Sequence, residues 1–239
     1  TLNKESVNIV TIEDPIEYSI DGVNQSQVKP EIGYSFAEGL RQILRQDPNI
    51  IMVGEIRDEE TANLVIHSAL TGHIVLSTLH TNSATGVIPR LIDMGIKPFL
   101  IPSTLRIAIS QRLIRTLCPK CKMKIKPNEK VANYIIGKTK ELPAYAKKDL
   151  KMPDPFLIYG SKGCDECNFT GYKGRAGLFE VLSMTEDIAQ LILKGAGEGA
   201  IFKMAQKQGM LAMEQEGIFK ILSGETTVEE VTRVTGEKE

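Results

Sequence analysis

Short apolar runs alternate with longer amphipathic segments over the amino-terminal third of the chain. Val7–Ile12, Ile50–Val53 and Ile74–Leu79 are rich in β-branched residues, as buried parallel strands are. Between them, Ser35–Gln46 and Asp58–Leu70 carry apolar residues at helical spacing. The pattern predicts a β-α-β-α-β unit with a parallel sheet, and so an α/β fold.

Polar residues that can carry chemistry follow each predicted strand. Right-handed crossovers bring the carboxyl ends of parallel strands to one edge of the sheet, which is where open α/β sheets bind ligands. Glu13, Asp14, Glu55 and His80 are therefore expected to meet at that edge. Carboxylates can hold Mg²⁺ and orient a water, and an imidazole can contact a phosphate. The alternative is that these are solvated residues at strand ends.

The four cysteines form two Cys-x-x-Cys pairs, Cys118 with Cys121 and Cys164 with Cys167, separated by 42 residues. Two such pairs complete a tetrahedral Cys₄ site, and zinc is the ion that this spacing favours. Because all four ligands are thiolates, the site is expected to be closed and structural. Disulfides and redox dithiols are the alternatives, and a cytosolic location and the absence of a thioredoxin-like context disfavour them.

Composition is that of an ordinary globular protein, with 239 residues, 42% hydrophobic, 25% charged and a net charge of −1. Such a balance gives no overall attraction to nucleic acid or to anionic lipid. There is no signal-peptide pattern and no apolar run of about 18 residues, so no membrane span is predicted.

A basic excursion lies between the cysteine pairs. Residues 118–151 hold ten lysines and three acidic residues, a local net charge of +7. This stretch could dock to an acidic partner or simply be a solvated insertion, and the presence of only two tyrosines favours the insertion. Nucleic-acid binding would require more stacking residues.

The rest of the chain is predicted as architecture. Phe99–Leu117 has an apolar periodicity that predicts a long helix, and Leu178–Leu182 predicts a short strand. Several helices follow, and Thr185 and Thr227 are the expected caps of the first and the last of them. His67 is interpreted as an ordinary helix residue.

Five stretches resemble the secretion-type ATPases that drive type II secretion and type IV pilus assembly. Residues 10–18 resemble the aspartate box of that family, residues 44–58 its Walker B motif, and residues 71–81 its histidine box. The likeness continues through residues 111–118 and 171–175, so it covers nearly the whole chain. Tetracysteine elements occur in assembly and secretion members and are typically absent from retraction members, which favours the former.

The resemblance implies a RecA-like core with a mostly parallel sheet at residues 1–117. A Cys₄ zinc element at 118–180 and a carboxyl-terminal helical bundle at 181–239 would follow. Glu55 would polarise the water that attacks ATP, and His73 or His80 would report the γ-phosphate. The carboxylates implied to tune the Mg²⁺ shell are Glu13, Asp14 and Glu17. The arginines implied as candidates to face a neighbouring subunit's nucleotide are Arg41, Arg45 and Arg57.

One departure from the family pattern limits these implications. No Gly-x-x-x-x-Gly-Lys-Ser/Thr phosphate loop occurs in the 239 residues. We therefore expect an amino-terminally truncated chain, with ATP hydrolysis a property of the longer parent protein. That parent is expected to be cytoplasmic and peripheral to the inner membrane, acting as a hexamer on a membrane platform protein. No nucleic-acid partner is expected. The competing hypothesis is a catalytically silent, zinc-stapled docking module.

Overall fold

The computed structural model describes residues 2–150 and 152–236 and divides into two compact units. The first unit comprises the described residues within Thr1–Arg106 and Met184–Ile201, and the second those within Ile107–Ser183 and Phe202–Glu239. The division at 117 and 180 drawn from the sequence stays a prediction about domains. Lys151, one of the ten lysines of the basic excursion, lies outside the described residues.

A parallel sheet forms the centre of the first unit and confirms the predicted α/β fold. Its four strands are β1 (Ile9–Glu13), β2 (Asn24–Gln27), β3 (Ile50–Val53) and β4 (Ile74–Ser77). The strand order is β2-β1-β3-β4, and every neighbouring pair is parallel. The sequence did not predict β2, because its polar residues Asn-Gln-Ser-Gln lack an apolar strand pattern.

Helices cross between these strands where the sequence predicted them. The α-helices of this unit that precede residue 107 are α1 (Phe36–Ile43), α2 (Glu59–Leu70), α3 (Val87–Asp93) and α4 (Ile101–Thr104). Ser35 caps α1 by accepting from the backbone N–H of Glu38, and Asp58 caps α2 by accepting from that of Thr61. The apolar face of α1, which includes the fully buried Leu40, packs against β1 and β3.

The predicted helix at Phe99–Leu117 is wrong. Residues 98–104 form a short 3₁₀ turn and α4, and residues 107–117 form a strand, β5 (Ile107–Leu117). Its apolar residues fit a helical period because both faces of the strand carry them, with Ile107 and Ile109 exposed and Ile114 buried. Pairing with a distant strand decides the conformation, which local periodicity cannot show.

The second unit is built on two antiparallel pairs of strands. Its elements up to residue 183 are β5, β6 (Lys122–Ile125), α5 (Glu129–Lys140), α6 (Ala144–Asp149), β7 (Ile158–Ser161) and β8 (Tyr172–Ser183). β5 pairs with β8 and β6 pairs with β7. Ile135 of α5 is fully buried in the same core as Ile114 and Ile218. The basic excursion is therefore packed on one face and is not simply a solvated insertion.

Helices follow β8 as predicted. They are α7 (Glu186–Leu193), α8 (Glu198–Lys207), α9 (Met213–Leu222) and α10 (Val228–Thr235). Thr185 caps α7 and Thr227 caps α10, each accepting from the backbone N–H three residues on. α7 belongs to the first unit, α9 and α10 belong to the second, and the boundary falls within α8. Among the described residues, none of the helices combines the length and the apolar character needed to span a bilayer.

Candidate functional site

The carboxyl edge of the parallel sheet brings together residues from three strand ends. Glu13 is the last residue of β1, Glu55 follows β3, and His80 follows β4. The strand ends are tied together, because Thr78 donates its hydroxyl to the Gly54 carbonyl at 2.7 Å and the Ile56 N–H donates to the Thr78 carbonyl at 3.0 Å. This is the edge at which open α/β sheets bind their ligands.

Glu55 is the centre of the cluster at this edge. Arg57 Nη2 donates to Glu55 Oε1 at 2.5 Å, and its Nη1 donates to Asp14 Oδ2 at 3.4 Å. His80 Nε2 lies 3.2 Å from Glu55 Oε2. The Glu55 side chain is only 14% exposed, whereas that of His80 is 86% exposed. A half-enclosed carboxylate thus faces an imidazole that solvent or a ligand can reach.

The electrostatics keep Glu55 charged. The hydrogen bond from Arg57 lowers the pKa of the Glu55 carboxyl, against the opposing effect of burial. The same bond raises the pKa of the Arg57 guanidinium. A carboxylate held in its charged form can accept a hydrogen bond from a water or a metal-bound water, which suits it to orient a nucleophile.

Local chain geometry explains how Glu55 reaches this place. A Cβ atom at Gly54 would lie 3.3 Å from both the Glu13 Cα and the Ile12 carbonyl oxygen, so β3 and β1 approach closely just before Glu55. Asp58 then caps α2, which begins at Glu59, so only a short connection runs from Gly54 to the helix. The segment therefore presents Glu55 and Arg57 at the sheet edge.

The other carboxylates of the predicted site take different positions. Glu13 accepts from the Thr11 hydroxyl at 2.5 Å and from Gln25 Nε2 at 2.9 Å, so its side chain lies toward β2. Glu17 is exposed in the segment after β1. Gln25 was missed by the sequence analysis because β2 itself was not predicted.

Three predicted site residues do not join the cluster. His73 precedes β4 and lies 3.0 Å from the Ser68 carbonyl oxygen, so it lies at the amino edge of the sheet. The four residues of β4 separate it from the carboxyl edge by roughly 13 Å. Arg41 forms ion pairs with Glu38 and Glu60. Arg45 is exposed just after α1, whose last turn returns to the amino edge. Of the three predicted arginines, Arg57 is the one beside Glu55.

The chain contains one Gly-Lys-Thr triplet, Gly137 to Thr139, and it is not a phosphate loop. It lies in the interior of α5, where its N–H groups belong to the helix. Lys138 forms ion pairs with Glu141, at 3.7 Å, and with Glu214. This triplet therefore offers no cradle for phosphates.

The four cysteines meet in the second unit and make a candidate metal centre. Their sulfur atoms all lie within 4.8 Å of one another. The pairs Cys118–Cys164 and Cys121–Cys167 are each 3.9 Å apart. Four thiolates at about 2.3 Å from one tetrahedral ion are about 3.8 Å apart, so the arrangement fits a tetrahedral ion. A disulfide would need about 2.05 Å.

Backbone groups support this sulfur cluster. The N–H groups of Cys164 and Gly171 both donate to Cys167 Sγ at 3.3 Å. Although burial disfavours a thiolate, these bonds lower the pKa of Cys167 to about 7. Burial raises the pKa of Cys121 to about 12. A cation that replaces the thiol protons would therefore offset a large desolvation cost at Cys121.

The candidate metal centre lies near the ends of β5, β6, β7 and β8 in the second unit. Cys118 follows β5, Cys121 precedes β6, Cys164 follows β7, and Cys167 lies shortly before β8. A bound ion would fix the base of the 122–161 excursion. This position suits a structural role, since no catalytic group among the described residues shares the sulfur cluster.

Comparison with known proteins relates the chain to secretion ATPases. A family model described as "Type II/IV secretion system protein" matches residues 1–233. The type II secretion system ATPase E of Vibrio cholerae is 45% identical over 236 residues, covering 99% of this chain and 44% of that protein. The type IV pilus assembly ATPase TfpB of Acinetobacter baylyi is 45% identical over 233 residues, covering 98% of this chain and 38% of that protein. The chain thus spans less than half the length of these relatives.

Solved structures are similar to most of the chain. The crystal structure of the pilus retraction motor PilT with bound ADP has a TM-score of 0.66 at 26% identity, covering 97% of this chain and 53% of that one. The Legionella pneumophila ATPase DotB has a TM-score of 0.64 at 22% identity, covering 97% of this chain and 52% of that one. The likeness to DotB concerns the fold alone.

Proposed function

The chain belongs to the Type II/IV secretion system protein family, and on that premise we propose that it forms the carboxyl-terminal part of an ATPase. That ATPase would couple ATP hydrolysis to type IV pilus assembly or type II secretion. The observation that carries the proposal is the contact of Glu55 with both Arg57 and His80 at the carboxyl edge of a parallel sheet. Identity supports assembly or secretion over retraction, with 45% for the two ATPases against 26% for the retraction motor.

In the whole protein Glu55 would polarise and orient the attacking water by accepting its hydrogen bond, because it is a charged, half-enclosed carboxylate. His80 would contact the γ-phosphate, since its ring is exposed beside Glu55. Asp14 lies in the same cluster, and together with Glu13 and Glu17 it would face the water shell of Mg²⁺, a hard cation that prefers oxygen ligands. When bound, Mg²⁺ would neutralise charge on the phosphates of ATP. We assign this role to His80 and not to His73, because His73 contacts the Ser68 carbonyl at the other edge of the sheet.

The arginines divide between two roles in this proposal. Arg57 would hold Glu55 charged and oriented within its own subunit. Arg41 pairs with Glu38 and with Glu60 in the first turn of α2, and Arg45 is exposed after α1, so either would be available to the nucleotide of a neighbouring subunit. A ring of six copies would supply such a neighbour through heterologous contacts. The proposed ring would be cytoplasmic and would act on an inner-membrane platform protein; the relatives that support this part are a type II secretion ATPase and a type IV pilus assembly ATPase.

We also propose that the tetracysteine centre binds Zn²⁺. An all-thiolate donor set with tetrahedral spacing favours this ion, and a closed set of four protein ligands makes the site structural. The four cysteines would hold the ion, which would tie the two strand pairs of the second unit together.

The experiment that tests the function is ATP hydrolysis by the full-length protein, beside its Glu55→Gln variant. Glutamine keeps the shape of the side chain but lacks the negative charge that polarises the water, so we expect kcat to fall by about a hundredfold or more. Glu31→Gln is the matched control, because Glu31 is an exposed acidic residue on a short 3₁₀ helix. An inactive full-length protein with a folded second unit would instead support the zinc-stapled docking module.

A further inference from the structure

The segment that follows β4 is fastened at both of its ends within the first unit. At its start, Thr78 and His80 contact the Gly54–Glu55 turn. At its end, the Ser83 hydroxyl donates to Glu198 Oε1 at 2.6 Å, and the Thr85 hydroxyl donates to the same oxygen at 3.0 Å. A single carboxylate oxygen of Glu198 thus accepts hydrogen bonds from two hydroxyl groups that lie far from it in the sequence.

Glu198 also determines which way the Ser83 hydroxyl points. The Ser83 oxygen accepts from the Gly86 N–H at 3.0 Å, and Gly86 precedes the first residue of α3. Because the Ser83 proton is directed to Glu198, the lone pairs of its oxygen remain available to Gly86. Thr85 is fully buried, so its hydroxyl needs a partner there, and Glu198 provides one.

Glu198 lies at the start of the helix in which the chain passes from the first unit to the second. It is the first residue of α8, and the passage falls between Ile201 and Phe202. The helix that connects the units therefore carries the carboxylate that holds the end of the His80 segment. His80 lies three residues before Ser83, so the backbone and the Ser83–Glu198 hydrogen bond together connect it to the start of that helix.

We propose that Glu198 is a positioning residue that fixes the His80 segment beside Glu55 and links its position to α8. The catalytic consequence rests on the proposed function, but the positioning itself concerns this chain alone. Glu198 touches neither Glu55 nor His80 in the contacts described, so it acts through Ser83 and Thr85.

The first test is NMR of the histidine side chains in the 239-residue chain. The chain has three histidines, His67, His73 and His80, which single substitutions can assign. With Glu198→Ala we expect the ring signal of His80 to shift and broaden while those of His67 and His73 stay in place. Glu198→Gln keeps an acceptor oxygen and should restore most of the wild-type signal. The control is Lys203→Ala, an exposed position on the same helix.

Hydrogen exchange supplies the expected size of the effect. Loss of two hydrogen bonds to an exposed carboxylate should speed amide exchange of residues 83–86 by about five- to thirtyfold. The Lys203→Ala control should leave that exchange at the wild-type rate. An unchanged His80 signal and unchanged exchange in Glu198→Ala would overturn the proposal.

Kinetics of the full-length protein separate this proposal from the proposed function. If the wild type hydrolyses ATP, Glu198→Ala should lower kcat by about fivefold with KM nearly unchanged, and Glu198→Gln should recover part of the loss. Unchanged kcat with a displaced His80 signal would overturn the catalytic part. If the wild type is inactive, the proposed function fails, whereas the NMR and exchange results still decide whether Glu198 positions His80.

Discussion

Replacing Glu230 with glutamine measures what one buried carboxylate contributes to the second unit. The Glu230 side chain is fully buried at the start of α10. It accepts from the backbone N–H of Arg115 at 2.8 Å and from the Arg115 and Arg233 guanidinium groups at 2.6–3.0 Å. Arg115 also stacks over the Tyr172 ring at 4.3 Å. The carboxylate therefore holds β5 to α10.

The magnitude follows from the pKa of this group. Burial disfavours the charged form, yet hydrogen bonds from Arg233 and Arg115 outweigh it and lower the pKa of Glu230 from 4.5 to about 2. Such a difference corresponds to about 3 kcal/mol of folding free energy at neutral pH. Both arginines are about half exposed, so solvent screening reduces the expected loss in Glu230→Gln to about 2–3 kcal/mol.

The pH dependence has a definite sign. Because the pKa is lower in the folded state, the stabilisation is fully present above pH 4.5 and is lost as pH falls toward about 2. Roughly a third to a half of it should be gone by pH 3.5. The free-energy difference between wild type and Glu230→Gln should therefore shrink on acidification.

The assay is urea-induced unfolding followed by near-ultraviolet circular dichroism at pH 7 and pH 3.5. Four of the six tyrosines lie in the second unit, so the signal reports mainly on it. Glu229→Gln is the control, since Glu229 is the exposed neighbour of Glu230 on α10. The reasoning is refuted if both variants unfold at the same urea concentration at pH 7, or if the difference is independent of pH.

Three further outcomes are expected. Metal chelation should increase hydrogen exchange in the second unit while the parallel sheet of the first keeps its protection, and cooperative melting of the whole chain would contradict this. Gly39→Ala should cost about 1–3 kcal/mol in thermal unfolding, because its Cβ would collide with the Ile12 side chain. Gly137→Ala, with open space around it in α5, should instead stabilise by about 0.5–1 kcal/mol; equal effects of the two changes would show the packing argument wrong.

Much of the candidate site could be predicted from the sequence because its signals are local. Apolar strands, helix caps and right-handed crossovers together place Glu55 and His80 at one edge, and both residues are there. The strand order confirms that argument for β1, β3 and β4. The meeting of the four cysteines could also be predicted, since Cys-x-x-Cys pairs have the spacing of metal ligands, and their sulfur atoms lie within 4.8 Å of one another.

Other features depended on contacts between residues distant in sequence. His73 belongs to the same motif as His80, yet a whole strand separates them, and only the direction of β4 places them at opposite edges. The Phe99–Leu117 segment has a helical period, but its partner β8 lies beyond residue 170, so pairing made it a strand. Local spacing carries no information about such a partner.

The sequence by itself determined the α/β architecture of the first unit, the placement of Glu55 and His80 at the carboxyl edge of its sheet, and the cluster of four cysteines. Each of these follows from the short-range periodicity of apolar residues or from the spacing of a motif. Tertiary structure alone decided that α5 of the basic excursion packs into a core, that β5 is a strand, and that Glu198 meets Ser83 and Thr85. These depend on which distant surfaces bury each other, and burial is a property of the whole folded chain.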